Sequence, residues 1–144
     1  MKRSGKMNIE EPKDISYHRK GTVVYRCIYH VIFCPKYRRK LLVGEVEQRL
    51  KEIIKEVEAN HPFTIIEMEV MPDHVHLLID VDPDFGVKSA VARLKGTTSN
   101  ILRKEFKHLR SKLPTLWTRS KFIASVGSVS LEVVKKYIEE QKDN

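Results

Sequence analysis

His74 and His76 stand two residues apart in the run MPDHVHLLI. In an extended strand alternate side chains share a face, so both imidazoles project from one side, about 7 Å apart at their bases. That geometry can chelate one divalent ion, but two histidines make an incomplete site and a third ligand must come from elsewhere. Alone, an H-x-H pair is more often two surface or core histidines. Here the flanking Leu77, Leu78 and Ile79 mark a buried strand, in which two imidazoles need partners for their nitrogens. Tyr137 and Gln141 lie four apart in LEVVKKYIEEQ, hence on one helix face and about one turn apart. Most helical tyrosines at such spacing pack on a core, and a near-terminal Gln usually faces water. Yet a carboxamide oxygen is a suitable hard ligand for Mg²⁺ or Mn²⁺, and a phenol one turn away would sit beside that metal.

Other chemistries find no support. Asp80, Asp82 and Asp84 have the alternation of a calcium loop, but glycine falls at the seventh place and Val91 at the twelfth, so an EF-hand is excluded. LKGTTS around Lys95 lacks the glycine spacing of a phosphate-binding loop, and neither GxGxxG nor GxSxG occurs. Ser125, Ser128 and Ser130 lack an acid and base partner and read as turn and cap residues.

The 144 residues carry 27 Lys plus Arg against 19 Asp plus Glu, a net charge of +8, and the pI is near 9.5. Such an excess attracts polyanions, most often nucleic acid, although ribosome association or an acidic protein partner gives the same number. The cations cluster at Lys36, Arg38, Arg39 and Lys40, at Arg93 and Lys95, between Arg103 and Lys112, and at Arg119 and Lys121. Each cluster alone is most often a solvated face. With Tyr37, His108 and Trp117 they resemble a surface that tracks a nucleic-acid strand, cations for phosphates and rings for bases. At 41% apolar residues the chain is expected to fold as one domain, and disordered or collagen-like classes drop out. No run of about 18 apolar residues or signal peptide is present, so a soluble, cytoplasmic protein with no membrane partner is expected. Cys27 and Cys34, read as lying in one strand, are too far apart to bridge.

Residues 1–20 are polar and aperiodic and are expected to form a flexible basic arm, ordered at most near Tyr17 and His18, before one domain over residues 21–144. From Thr22 to Cys34 the run TVVYRCIYHVIFC predicts one long central strand ended by Pro35. Val46, Leu50, Ile53, Ile54 and Val57 recur at helical spacing; FTIIEMEV and HVHLLIDV flank a tight turn at Pro72 and Asp73. Val87, Ala90, Val91, Leu94, Thr98, Ile101 and Leu102 mark a second helix ending near Phe106. TLWTRSKFIASV predicts a fourth strand, entered through an irregular turn at Arg119 and Ser120 and closed by Gly127; Ser130 and Glu132 then begin a short last helix. The order β, α, β, β, α, β, α begins with the ferredoxin-like βαββαβ plan. An α+β fold is therefore expected, with an antiparallel four-stranded sheet and helices on one face.

YHVIFCPKYRRKLL, MPDHVHLLI, LKGTTSNIL and SVGSVSLEVVKKYIEEQ together resemble the single-tyrosine HUH transposases, the small TnpA-type enzymes of the insertion-sequence 200/605 group. The likeness runs from about Tyr25 to Gln141 with every landmark in order. It implies an RRM-like sheet, a homodimer, and cleavage and rejoining of single-stranded DNA at the hairpin-bearing ends of a mobile element. Residue by residue, it puts the histidine motif on His74, Val75 and His76, the nucleophile on Tyr137 and a third ligand for Mg²⁺ or Mn²⁺ on Gln141. DNA contacts fall on Lys36, Arg38, Arg39, Lys40, Arg93, Lys95, Arg119 and Lys121. The tyrosine of one subunit can serve the histidines of the other. A phosphotyrosine keeps the energy of the phosphodiester, so no nucleotide cofactor is expected. Because ligating histidines must be neutral, activity should fall below about pH 6.

Two rivals differ in testable ways. A replication or relaxase-type HUH nuclease shares the histidines and a tyrosine but usually carries further modules. A noncatalytic RRM-like domain would stack bases on its sheet, yet its RNP1 pattern is absent.

Overall fold

Gly21 sets the first turn among residues 17–127, which the computed structural model describes. Its φ of 59° lies in the left-handed region that a two-residue hairpin turn requires, and glycine takes it without a Cβ clash. The turn joins β1 (His18–Lys20) to β2 (Val23–Tyr25) as a two-stranded ribbon. Ordered structure thus reaches back through Tyr17 to Lys20, into the segment expected to be an arm, because His18 and Lys20 are tied to the main sheet's end. His18 Nε2 lies 2.8 Å from Asp80 Oδ2, and Lys20 Nζ donates to Asp82 at 2.8 Å and Asp84 at 3.1 Å. Those two carboxylates push the Lys20 amine up to about 12.

The single long strand expected from Thr22 to Cys34 is two strands. The chain changes partner at Arg26 and Cys27: β2 pairs with β1, whereas β3 (Ile28–Phe33) pairs with the main sheet, and the Cys27 carbonyl accepts from Val81 N–H at the crossover. Both cysteines are free thiols. A 3₁₀ turn at Lys36–Arg38 leads to α1 (Gly44–Ala59), β4 (Phe63–Met71), β5 (His74–Val81) and α2 (Val87–Glu105). A five-residue helix, α3 (Lys107–Ser111), occupies the basic stretch read as a connection, and β6 (Phe122–Ser125) is shorter than the expected fourth strand. Before it, only Trp117 bridges back, to Pro35. The segment expected to form the last helix, with Ser130, Glu132, Tyr137 and Gln141, lies outside the described residues.

The sheet order is β4-β5-β3-β6 with every pairing antiparallel, the ferredoxin-like arrangement. One sheet face, carrying Val31, Phe33, Val75, Leu77 and Ile79, packs on the buried stripes of α1 and α2 in one cluster. All five α1 positions read as apolar from their spacing are buried. Burying each such side chain contributes roughly 1.5–3 kcal/mol, which anchors the strands that carry the site. One polar group sits within that layer. Thr98 Oγ1 donates to the Leu94 carbonyl at 2.7 Å and accepts the Trp117 indole N–H at 2.9 Å. Thr98→Val keeps the shape and strands the indole donor, so it is expected to destabilise the fold by about 1–3 kcal/mol in chemical denaturation.

Candidate active site

The pleat sorts the side chains of β5 into two sets. Val75, Leu77, Ile79 and Val81 enter the core, which puts His74 and His76 together on the face the helices leave open. Across the ladders Met71 stands opposite His74, and Glu69 and Ile32 opposite His76. Both imidazoles are partly exposed.

Each histidine has a different second contact. His74 Nδ1 bonds Asp73 Oδ1 at 2.9 Å, and the other oxygen of Asp73 accepts from Arg38 Nη2 at 2.8 Å. The hydrogen bond with His74, then that from Arg38, holds the Asp73 carboxyl below its ordinary 3.8, so it stays charged through the neutral range. With Nδ1 donating to a carboxylate, Nε2 is the nitrogen left to bind a ligand, the arrangement found around metal-binding histidines. His76 Nε2 lies 3.0 Å from His30 Nδ1, with the rings stacked at 15°. Burial, and then the neighbouring His76, lowers the pKa of His30, which is neutral at pH 7. Two neutral imidazoles can share one hydrogen, one donating and the other accepting. Glu69 Oε1 lies 3.8 Å from His76 Nδ1, outside hydrogen-bonding range.

The loop beside the pair is strained. Tyr37 (φ 61°) and Arg38 (φ 50°) take left-handed conformations that side chains rarely adopt, costing roughly 1–2 kcal/mol each. The Arg38–Asp73 pair and a hydrogen bond from Lys36 N–H to the Leu116 carbonyl hold the loop closed. Lys36 and Arg39 sit over the exposed Tyr37 ring, 5.4 and 5.7 Å from its centre. Lys40 is exposed on the same loop. Thr118 N–H donates to the Cys34 carbonyl and Lys95 Nζ to the Thr118 carbonyl at 2.7 Å, which brings Lys95 and the segment leading to Arg119 and Lys121 beside this loop. Burial, with help from the Lys121 charge, depresses the Lys95 amine. Arg93 is exposed on α2, turned about 200° from Lys95, and belongs to another face.

Of the sequence-derived site, the structure brings His74 and His76 onto one face, joins Arg38 to His74 through Asp73, and sets Lys95 beside the segment that meets the 36–40 loop. Tyr137 and Gln141 are outside the described residues, and among the described residues no three His, Cys, Asp or Glu side chains converge as a metal site. His30 was missed, since its proximity to His76 follows only from the β3–β5 register. Asp73 was read as a turn residue and Arg38 as a DNA contact. Their signal was Asp73's position directly before the first histidine.

An antiparallel ferredoxin-like sheet with a histidine pair on its open face and a basic loop alongside defines a class of small α+β nucleic-acid enzymes. A family model described as IS200-like transposase matches residues 23–141, and the chain belongs to that family: it is a DNA transposase. The ISDra2 transposase TnpA of Deinococcus radiodurans is 40% identical over 122 residues, covering 83% of this chain and 87% of that protein. The transposase of insertion sequence element IS200 from Salmonella typhimurium is 31% identical over 123 residues, covering 82% and 81%. A crystal structure of a Deinococcus radiodurans R1 transposase superposes with a TM-score of 0.70 at 33% identity, over 86% of this chain and 97% of that one. A REP-associated tyrosine transposase bound to a REP hairpin, 18% identical, shares the fold with a TM-score of 0.57 over 88% of this chain and 68% of that one. No helix among the described residues is long and apolar enough to cross a membrane.

Proposed function

We propose that this transposase cleaves and rejoins single-stranded DNA at the hairpin-bearing ends of a mobile element, through a covalent 5′-phosphotyrosine on Tyr137. The observation that carries the reading is the pair His74 and His76 on one open sheet face, with Asp73 fixing the first ring. Family membership supports the reaction class, and the REP-hairpin complex of a structural relative supports hairpin ends as the partner.

His74, His76 and Gln141 would hold Mg²⁺ or Mn²⁺: the carboxamide oxygen is the hard donor these ions favour, and the two imidazoles, one already oriented through Asp73, complete the set. When bound, the ion supplies charge neutralisation at the scissile phosphate. The phenolic oxygen of Tyr137 attacks phosphorus, the bond to the 3′-oxygen breaks, and that oxygen leaves as a 3′-hydroxyl. Attack by a 3′-hydroxyl on the phosphotyrosine restores a phosphodiester and the phenol. Bond energy is conserved, so no nucleotide enters. Lys36, Arg38, Arg39, Lys40, Arg93, Lys95, Arg119 and Lys121 serve as phosphate contacts, with Arg38 also holding Asp73. One HUH domain takes in β1 (His18–Lys20) together with residues 21–144, the residues before it serve as the arm, and a homodimer is the working assembly.

The test is incubation of the full chain with single-stranded DNA from the element's ends and Mg²⁺, followed by proteolysis and mapping of the nucleotide-linked peptide. Attachment at Tyr137 is expected; attachment at any other residue, or none, overturns the reading. A second test follows from Asp73. In Asp73→Asn the side chain loses its charge toward His74 and Arg38, and Mn²⁺ affinity measured by titration calorimetry is expected to fall about 10–100-fold while the circular dichroism spectrum is unchanged. Affinity within twofold of the parent would remove Asp73 from the site.

A further inference from the structure

His76 spends its Nε2 on a neighbour that lies away from His74. Strand β3 runs antiparallel to β5, so His30 stands opposite Leu78, one strand period beyond His76 and on the far side of it from His74. From there His30 Nδ1 meets His76 Nε2 at 3.0 Å. With the ring centres 5.2 Å apart and the planes at 15°, that contact puts both nitrogens almost on the line between the centres. The N–H of one ring therefore meets the lone pair of the other head on, near the preferred hydrogen-bond direction.

A neutral imidazole has one N–H and one ring lone pair, and a nitrogen needs the lone pair to ligate an ion. In this contact Nε2 of His76 has none to give, whichever ring owns the hydrogen. As acceptor its lone pair is taken by His30; as donor it carries the hydrogen itself. The other nitrogen, Nδ1, borders β4, with Glu69 Oε1 at 3.8 Å. His74 is arranged the opposite way, since Asp73 takes its Nδ1 and leaves Nε2 to a ligand. One ring of the pair is thus held ready for an ion and the other is held back.

We infer that His30 is a positioning residue that competes with the divalent ion for Nε2 of His76, parking that ring until the ion displaces it. The inference rests on the metal reading of His74 and His76 above. Each ion captured costs the hydrogen bond to His30, so the chain binds metal more weakly than its ligands alone allow. The net value of one such bond corresponds to about two- to tenfold in affinity. A purely structural pair makes no such trade, because losing it could only loosen the sheet and the ligands it carries.

Titration calorimetry of the full chain, stripped of metal with a chelator, measures the competition. His30→Phe keeps a flat ring and removes both nitrogens, and should raise Mn²⁺ affinity about two- to tenfold. His30→Asn sets a carboxamide near the position of Nδ1, can still bond Nε2, and should stay within twofold of the parent. In a His76→Ala background His30→Phe should change affinity less than twofold, since the competition runs through His76. Long-range ¹H–¹⁵N spectra of the parent add a readout that needs no variant: the His30 Nδ1 resonance should move as Mg²⁺ is added, together with Nε2 of His74 and of His76. A gain below twofold or a loss in His30→Phe overturns the inference, as does an equal gain in His30→Asn or without His76, or a His30 Nδ1 resonance that ignores Mg²⁺. A parent chain that binds neither ion overturns the metal reading itself, whereas a parent that binds both with no gain in His30→Phe overturns the competition alone.

Discussion

A Tyr137→Phe protein is expected to form no covalent adduct with single-stranded DNA and to lose cleavage by on the order of 10⁴-fold or more. The change removes one oxygen and keeps the ring, so it tests the nucleophile and little else. A free phenol has a pKa near 10 and is only about 0.1% ionised at neutral pH, so the oxygen has to be activated in place and a nearby water is a poor substitute. Hairpin binding should stay within twofold of the parent, because the proposed phosphate contacts are on other elements. The readout is a denaturing gel of labelled DNA beside an anisotropy titration. An adduct that persists in the variant assigns the chemistry to another residue, whereas a protein with unchanged binding and unchanged strand cleavage is not a tyrosine transposase.

The second large effect is expected in His76→Ala, which should cleave about 10³-fold more slowly at saturating Mg²⁺. Loss of one imidazole removes part of a charge-stabilising centre worth several kcal/mol, and each 1.36 kcal/mol is tenfold in rate. Stability should hardly follow. His76 is on the open face, its side chain 26% exposed, and its direct loss is the contact with His30, about 0.5–1.5 kcal/mol. The rate and the unfolding midpoint therefore separate a ligand from a structural residue. Parental cleavage by His76→Ala, or a loss of rate matched by unfolding at the assay temperature, would remove His76 from the metal set.

Much of the fold was legible because its signals are local. The stripe Val46, Leu50, Ile53, Ile54 and Val57 repeats within one helix, and the pair FTIIEMEV and HVHLLIDV alternates around a two-residue turn; both became the expected elements. The misreadings have a common origin. TVVYRCIYHVIFC is β-prone throughout, so composition cannot mark where β2 leaves β1 and β3 joins β5. The five residues of α3 are too few to show a helical period. TLWTRSKFIASV looks like a strand along its length, but only Phe122–Ser125 pairs with β3; before it, two backbone bonds, Thr118 N–H to the Cys34 carbonyl and Lys36 N–H to the Leu116 carbonyl, flank the Pro35–Trp117 bridge, and Lys95 and Thr98 hold Thr118 and Trp117.

For the candidate site, residue type and spacing alone carried the metal reading: two imidazoles two residues apart on a strand share one face. Only the tertiary structure decided which neighbours serve them. His30 reaches His76 across 46 residues of chain through the register that sets Ile32 opposite His76, and Arg38 reaches Asp73 across 35 residues from a strained loop. Side-chain period is written within a few residues, whereas strand register and loop closure depend on how distant segments share one core.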